Sequence, residues 1–345
     1  MIFLSLSARL LINVEALNMV ESIGNVTRHR RATIIITHKD GYRKIEVPAI
    51  SGESLAHAYQ EAIVLMAKQI FPGSPPICSW CERGEFFKSM DDAHTAPQIK
   101  QAIKGLKGKD QVKTFEETVI KNCLVEDIGG FLRAERPPIK RTSRFQIGYM
   151  IPTFDAINAT SLEHQFHVRH APSEAIRAEK QERAAQMIYY IETGSALYGF
   201  TFNMDITGIG QTSMIDVRDV LKPSEKELRI KTALGGLIAL LSSKFFGAKR
   251  TRFLPILDAR SIIAAVSSPV PFTVMPPVTK DFIAQTAQKN KEFSEILGKL
   301  GISENINVYV YSTEVKELPE TVTRATSVED LLQKVIDDVL SREEK

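Results

Sequence analysis

Residues 196–206, ALYGFTFNMDI, alternate along their length. Ala196, Tyr198, Phe200, Phe202, Met204 and Ile206 point one way, and mostly small or polar residues point the other. A strand of this kind has one buried face, and its aromatic side chains need a covering layer. Two segments can supply it. In VPAISGESLAHAYQEAIVLMAKQIF, Ser51 is a plausible N-cap with Glu53 in the first turn. Leu55, Ala58, Tyr59, Ala62, Ile63 and Met66 then share one helical face. In SEKELRIKTALGGLIALLSSKFFG, Ser224 and Glu227 have the spacing of a capping box. Ile230, Leu234, Leu237, Ile238 and Leu241 make the buried stripe of that second helix.

The remaining elements fall around this pair. The apolar run MIFLSLSARLLINV lacks a charged n-region and is interrupted by Arg9, so it is expected to be a strand rather than a signal peptide. ATIIIT and RKIEV, joined through Asp40-Gly41, carry a hairpin signal. RTSRFQIGYMI, RSIIAAVSS and INVYVYS read as further strands, and TSVEDLL opens a final helix. From about Pro72 to Pro138 the chain is polar. Its clearest element is a helix in KTFEETVIKNCLVEDIGG, with Phe115, Val119, Ile120 and Cys123 on one face and Gly129-Gly130 at its end. This stretch reads as an insertion into the core. Thr160 to Arg183 is charged and has no apolar period. Strands come first, then helices and strands alternate, so the expected class is an α+β sandwich rather than a uniform βαβ series.

A formal net charge of +3 on 345 residues decides little by itself, but the charge is clustered. Arg28-His29-Arg30-Arg31 lies in ESIGNVTRHRR. Arg133, Arg136, Lys140, Arg141 and Arg144 form a second cluster, Arg169 to Arg183 a third, and Lys249, Arg250 and Arg252 a fourth. Each is expected in a loop or at a loop–strand junction, beside Gly, Ser, Thr or Asn. A single charge run is usually solvated surface. Several on the loops of one core suit a track of phosphates, where released counterions supply affinity. The helix start at Ser51-Gly52 adds free N–H groups.

Other chemistry is weaker. Pro269, Pro271, Pro276 and Pro277 break the longest uncharged run, which argues against a membrane span there. Three cysteines are too few and too clustered for a secreted disulfide framework, so a soluble cytoplasmic protein is expected. CSWC sets Cys78 and Cys81 at metal spacing, and Cys123 or His94 could complete a set. Zinc, a redox pair or disulfide, and plain buried thiols all stay open, and no metal or cofactor is assigned. His164, His167 and His170 recur every third residue, which on a strand puts His167 opposite the other two.

The order of these pieces resembles one family. The first strand, ESIGNVTRHRR, the hairpin, VPAISGESLAHAY, the insertion, GGFL, KRTSRFQIGYMIP, EHQFHVRH, ALYGF and GAKRTRFLP together are similar to the Cas-seven family (the Csa-two or DevR group of the RAMP superfamily). Its members form the crRNA-binding backbone of the archaeal type I-A CRISPR Cascade complex. The resemblance implies an RRM-like, ferredoxin-like palm with a helical fingers insertion and a projecting thumb hairpin. It divides the chain into palm (1–71), fingers (72–139), a palm strand (140–159), thumb (160–186) and the rest of the palm with C-terminal helices (187–345). It implies a ribonucleoprotein for antiviral defence in which copies stack head to tail along crRNA, present it to target DNA, and contact other Cascade subunits without a membrane. Protein then reads the guide backbone and base pairing reads sequence. Tyr198, Phe200 and Phe202 are accordingly expected in the core rather than under bases.

Carried over by position, Asn25, Thr27, Arg28, His29 and Arg30 fit the palm loop, and Ser51, Ser54 and His57 the edge of the first helix. Arg141, Ser143 and Arg144 fit a basic strand start, His167 and Arg169 the beginning of the thumb, and Lys249, Arg250 and Arg252 the glycine-adjacent loop. Phosphate contacts and contacts between protomers would share these positions. The rival readings are a metal-dependent endoribonuclease, as in type III backbone relatives that use an aspartate in this loop, and a nucleic-acid-binding transcription regulator. Between Glu21 and Arg31 there is no aspartate, and Glu21 is the sole carboxylate. No helix-turn-helix signal is present, so the expectation is a non-enzymatic RNA-binding subunit.

Overall fold

The computed structural model describes residues 1–170, 186–244 and 246–343. The chain begins with β1 (Phe3–Glu15), which lies antiparallel between the two strands that matter most to it, β11 (Gln186–Asp205) and β12 (Ile256–Ser268). Register explains why. Leu4, Leu6, Ala8, Leu10 and Ile12 stand opposite Met204, Phe202, Phe200, Tyr198 and Ala196, so two alternating stripes merge into one apolar face. That face is covered by α1 (Gly52–Ile70), α6 (Pro223–Leu241) and α8 (Val328–Glu343). Tyr59 of α1 lies edge-on to Phe145 and Phe202 and donates its hydroxyl to the Ala233 carbonyl at 2.8 Å. Gly236 lets the helices approach, because a Cβ there would sit 2.8 Å from the Tyr59 ring.

Two short hairpins follow β1. β2 (Met19–Ile23) and β3 (Val26–His29) turn through Gly24-Asn25; β4 (Arg31–His38) and β5 (Gly41–Pro48) form a separate two-stranded ribbon with the expected Asp40-Gly41 turn. After α1 come α2 (Ser79–Glu82), α3 (Pro97–Ala102), α4 (Gly108–Asn122) and α5 (Leu124–Gly129), then the pair β6 (Phe131–Arg133) and β7 (Ile139–Arg141). Ile99, Val112, Phe115, Val119, Phe131 and Ile139 give this part a small core of its own. β8 (Phe145–Ile147) and β9 (Ile151–Pro152) join β11, and β10 (Ser161–His170) pairs antiparallel with the start of β11. α7 (Phe282–Lys299), β13 (Asn305–Ser312) and β14 (Thr323–Arg324) complete the chain, with β13 on β12. The main sheet is mixed: β3 on β11 and β14 on β13 are parallel, the other pairs antiparallel.

The reverse face of β1 is polar and still buried. Ser5, Ser7 and Arg9 share it, which gives the interrupting arginine a place. Arg9 is held by Asp155 and Glu314, both at 2.9 Å, and by the Pro277 carbonyl. The backbone around Val274 and Met275 closes over Ser5 and Ser7, and α7 packs on Ile263, Ala265, Val308 and Val310.

Four sequence expectations need correction. The basic 21–31 stretch is not a loop but mostly a hairpin. RTSRFQIGYMI is not one strand; the turn at Ser143 and the break at Gly148-Tyr149 divide it among β7, β8 and β9. α6 starts at Pro223 with Lys222 as its cap position, so the Ser224–Glu227 box does not form. The single helix expected in KTFEETVIKNCLVEDIGG breaks at Cys123 into α4 and α5. The expected thumb at 160–186 lies largely outside the described residues, which omit 171–185. Among the described residues no helix is long and apolar enough to cross a membrane.

Candidate nucleic-acid interface

Residues 15–18, just after β1, are where distant segments meet. The Asn18 carbonyl accepts from Arg30 N at 2.8 Å, and its Oδ1 accepts from Ser51 N at 2.8 Å, which docks the start of α1. The Leu17 carbonyl accepts from Ala248 N at 2.7 Å, drawing in the 244–255 loop; Gly247, at φ +86, lies against the Leu17 side chain. The β2–β3 turn reaches the base of the β10–β11 hairpin, where Tyr190 N donates to the Asn25 carbonyl at 2.8 Å. His167 of β10 stacks on Tyr189 and meets Phe253 edge-on, so the hairpin also touches the 244–255 loop. One end of the fold therefore gathers four of the five predicted groups.

Within that end the residues divide by exposure. Arg28 keeps 40% of its side chain exposed, with Glu21 3.7 Å away, and Lys249 and Arg252 are exposed. Asn25 and His57 are exposed; Thr27, Arg30, Ser54, His167 and Arg250 are half-buried. His57 lies 3.4 Å from Glu61 and edge-on to Phe86. Arg250 lines a pocket of about 300 Å³ with Leu17, Lys244, Phe246 and Leu254. Two inward-facing nitrogens, Arg30 Nε and His167 Nε2, have no hydrogen-bond partner among the described residues. Arg169 lies on β10, but its side chain is outside the described ones.

Two members of the group are not available to a ligand. Ser51 is buried as the N-cap of α1, its Oγ accepting from Ser54 N at 3.2 Å, as the sequence predicts. Gly52 beside it is required for packing, because a Cβ would lie 2.7 Å from the Ile147 carbonyl oxygen. His29 is fully buried. Its Nε2 lies 2.6 Å from Glu15 Oε1, though out of line for a well-formed hydrogen bond; its Nδ1 meets the Arg30 carbonyl at 2.7 Å, and its backbone N–H donates to Glu192 at 2.8 Å. Tyr198 and the Leu17 N–H also donate to Glu15, and Arg31 donates to Glu192 and Glu46. This His29–Glu15–Glu192 core supports the basic face from below. No local pattern marked it; the carboxylates are 177 residues apart by number (192 − 15).

The core has a pH signature. Burial disfavours charge on His29, but the Glu15 carboxylate and then the Arg30 carbonyl outweigh it, so its pKa is raised. A histidine raised in the folded state stabilises fully below its unfolded value of about 6.5 and loses that contribution as pH climbs through the folded value. Denaturation midpoints are therefore expected to fall as pH rises above about 6.5, and His29→Gln should flatten that part of the profile. An unchanged slope in the variant would remove His29 from the explanation.

The fifth group lies elsewhere. Arg144 meets Asp205 at 3.4 Å, at the far end of β11. The thirteen-residue step from Glu192 corresponds to about 43 Å of strand. Arg141 is buried with its donors on Asp127, Gln211 and Gly208, and Ser143 donates to the Phe145 carbonyl at 2.7 Å. Arg141 is thus an internal anchor, because a guanidinium with every edge hydrogen-bonded inside protein has nothing left for a phosphate.

The chain matches the family described as "CRISPR-associated negative auto-regulator DevR/Csa2" over residues 6–287. The chain belongs to the DevR/Csa2 family. It is 38% identical over 300 residues to "CRISPR-associated protein Cas7/Csa2 1" of Saccharolobus solfataricus, covering 86% of this chain and 89% of that protein. It is 37% identical to "CRISPR-associated aCascade subunit Cas7/Csa2 2" of the same organism, covering 95% and 98%. Among solved structures, a chain of a "CRISPR RNA-guided surveillance complex, pre-nicking" superposes with a TM-score of 0.53 at 10% identity, covering 97% of this chain and 99% of that one. At that identity the likeness is one of fold. The family resemblance carried by the sequence motifs is thereby borne out.

Proposed function

We propose that the chain is a crRNA-binding backbone subunit of a CRISPR interference complex of the type I-A kind, non-enzymatic and polymerising head to tail along its guide. The observation that carries this is the convergence of the exposed Arg28, Lys249 and Arg252 with the base of the β10–β11 hairpin at one end of a DevR/Csa2-family fold. Cations on separate backbone segments suit successive phosphates better than one compact anion. The strand order β12-β1-β11-β8, with α1 and α6 on one face, supports reading the sheet as a ferredoxin-like palm. The 72–139 insertion would be the fingers, and the β10–β11 hairpin, with Phe166 and Ile188 exposed on it, the thumb that meets a neighbouring copy. Glu21 faces Arg28 and is better placed to position that arginine than to hold a catalytic cation. Target DNA would meet the bases left free by the protein.

RNA extracted from the purified chain and sequenced is expected to be spacer-repeat RNA of uniform length. Added single-stranded RNA should bind without sequence preference and weaken by orders of magnitude from low to moderate salt. Salt-independent binding, strong preference for one short sequence, or magnesium-dependent cleavage would each overturn this reading.

A further inference from the structure

We propose that Cys78, Cys81, Cys123 and Glu126 form a zinc site that clamps the start of the 72–139 insertion to the corner between α4 and α5. This inference is independent of the RNA-binding reading. The Sγ atoms and a Glu126 carboxylate oxygen all lie within 4.8 Å of one another, and three of the four residues are buried. A tetrahedral zinc with Zn–S bonds of about 2.3 Å needs ligand atoms about 3.8 Å apart, so small side-chain rotations close the shell around one ion. An iron–sulfur cluster, with several metals and bridging sulfides between its thiolates, needs a wider cage.

The local backbone is built for this convergence. Cys78 precedes the single turn α2, and its sulfur accepts the Cys81 N–H at 3.4 Å. An N–H pointed at sulfur favours the thiolate that a metal binds. Cys123 sits at the break between α4 and α5 with extended dihedrals, φ −145 and ψ 108, and Glu126 follows one turn later. The two segments are tied where Leu124 N donates to the Pro76 carbonyl at 2.8 Å. The Glu126 carboxylate accepts from Ser89 N at 3.0 Å, a contact that orients it. A groove of about 280 Å³ lies beside Cys81. His94, the other candidate ligand in the sequence, is turned away onto Asp91, Trp80 and Phe87.

The test uses the untagged full chain, purified reduced and without chelator, with metal measured by mass spectrometry. About one zinc per chain is expected, and none should remain in Cys81→Ser or Cys123→Ser. Glu126→Gln should keep the thiols but bind zinc at least about 10-fold more weakly. Because the cysteine variants can misfold, the parent chain is also stripped by chelator and reloaded with cobalt(II). A thiolate-to-cobalt charge-transfer band with tetrahedral d–d absorption is expected, displaced by stoichiometric zinc. A folded, reduced chain that is zinc-free and takes up neither ion would overturn the proposal, as would a Cys78–Cys81 disulfide that persists in the native chain.

Discussion

An Asp127→Ala chain is expected to lose about 3–5 kcal/mol of stability, visible as a large drop in denaturation midpoint. Asp127 is fully buried and holds two arginines at once. Arg229 Nη1 donates to its Oδ2 at 2.8 Å, and Arg141 Nη2 bonds its Oδ1. The Gly210 N–H donates to the same carboxylate, at 3.0 Å to its nearer oxygen. Glu116 and Glu225 share the arginines, at 3.5 Å from Arg141 and 2.6 Å from Arg229. Removing Asp127 leaves two buried cations with only their outer partners, and the loss falls on a fold whose total stability is about 5–15 kcal/mol. The same bonds link α4, α5, β7, the 208–214 loop and α6, so the insertion should loosen from the helical layer first. Adding Arg229→Met should restore part of the loss, since it removes one of the stranded charges. Glu227→Ala, which breaks an exposed pair with Lys231 on the same helix, is the control and should change stability by less than about 0.5 kcal/mol. Equal midpoints for Asp127→Ala and Glu227→Ala would mean the buried network carries no stability.

That network also marks where sequence reading stops. The stripe from Ala196 to Ile206 announces a one-sided strand, and register pairs it residue for residue with β1. Periodicity is local, so both main helices and the long strands β1, β11 and β12 were legible. Which arginine meets which carboxylate is a property of chain crossings. Arg28 and Arg141 look alike in sequence, each basic and near Ser or Thr. One has an exposed guanidinium, while the other is enclosed by Asp127, whose acid lies fourteen residues away around a corner the sequence does not draw. The α6 start misled for a related reason: Pro223 suits the first helical turn and moves the cap to Lys222, before the Ser224–Glu227 pair can act. Cys78 and Cys81 were visible as a pair, but Cys123 joins them only because α4 breaks there, and Glu126 had no signal at all.

The exposed cations allow the sharpest test of the interface. Arg28→Ala, Lys249→Ala and Arg252→Ala combined are expected to weaken single-stranded RNA binding about 1,000-fold at low salt, roughly 10-fold for each charge-assisted bond to phosphate removed. Each such bond contributes about 0.7 to the salt slope on a single strand, so the slope should fall by about two. The weakening should be uniform across sequences, since phosphates carry no sequence information. Stability should hold: Arg28 faces Glu21 at 3.7 Å with both side chains partly in solvent, and Lys249 and Arg252 are exposed. His29 and Arg141, which sequence position alone would have added to the set, are left out because removing them would damage the interior and confuse unfolding with weaker binding. Glu21→Ala is the matched charge control. It removes a carboxylate from the same hairpin and should leave binding unchanged or slightly tighter, as one competing anion disappears. A triple variant that melts like the parent and binds RNA with the parent's affinity and salt slope would move the guide to another face. The β4–β5 ribbon, with Tyr42 84% exposed beside Arg43 and Lys44, would be the next to examine.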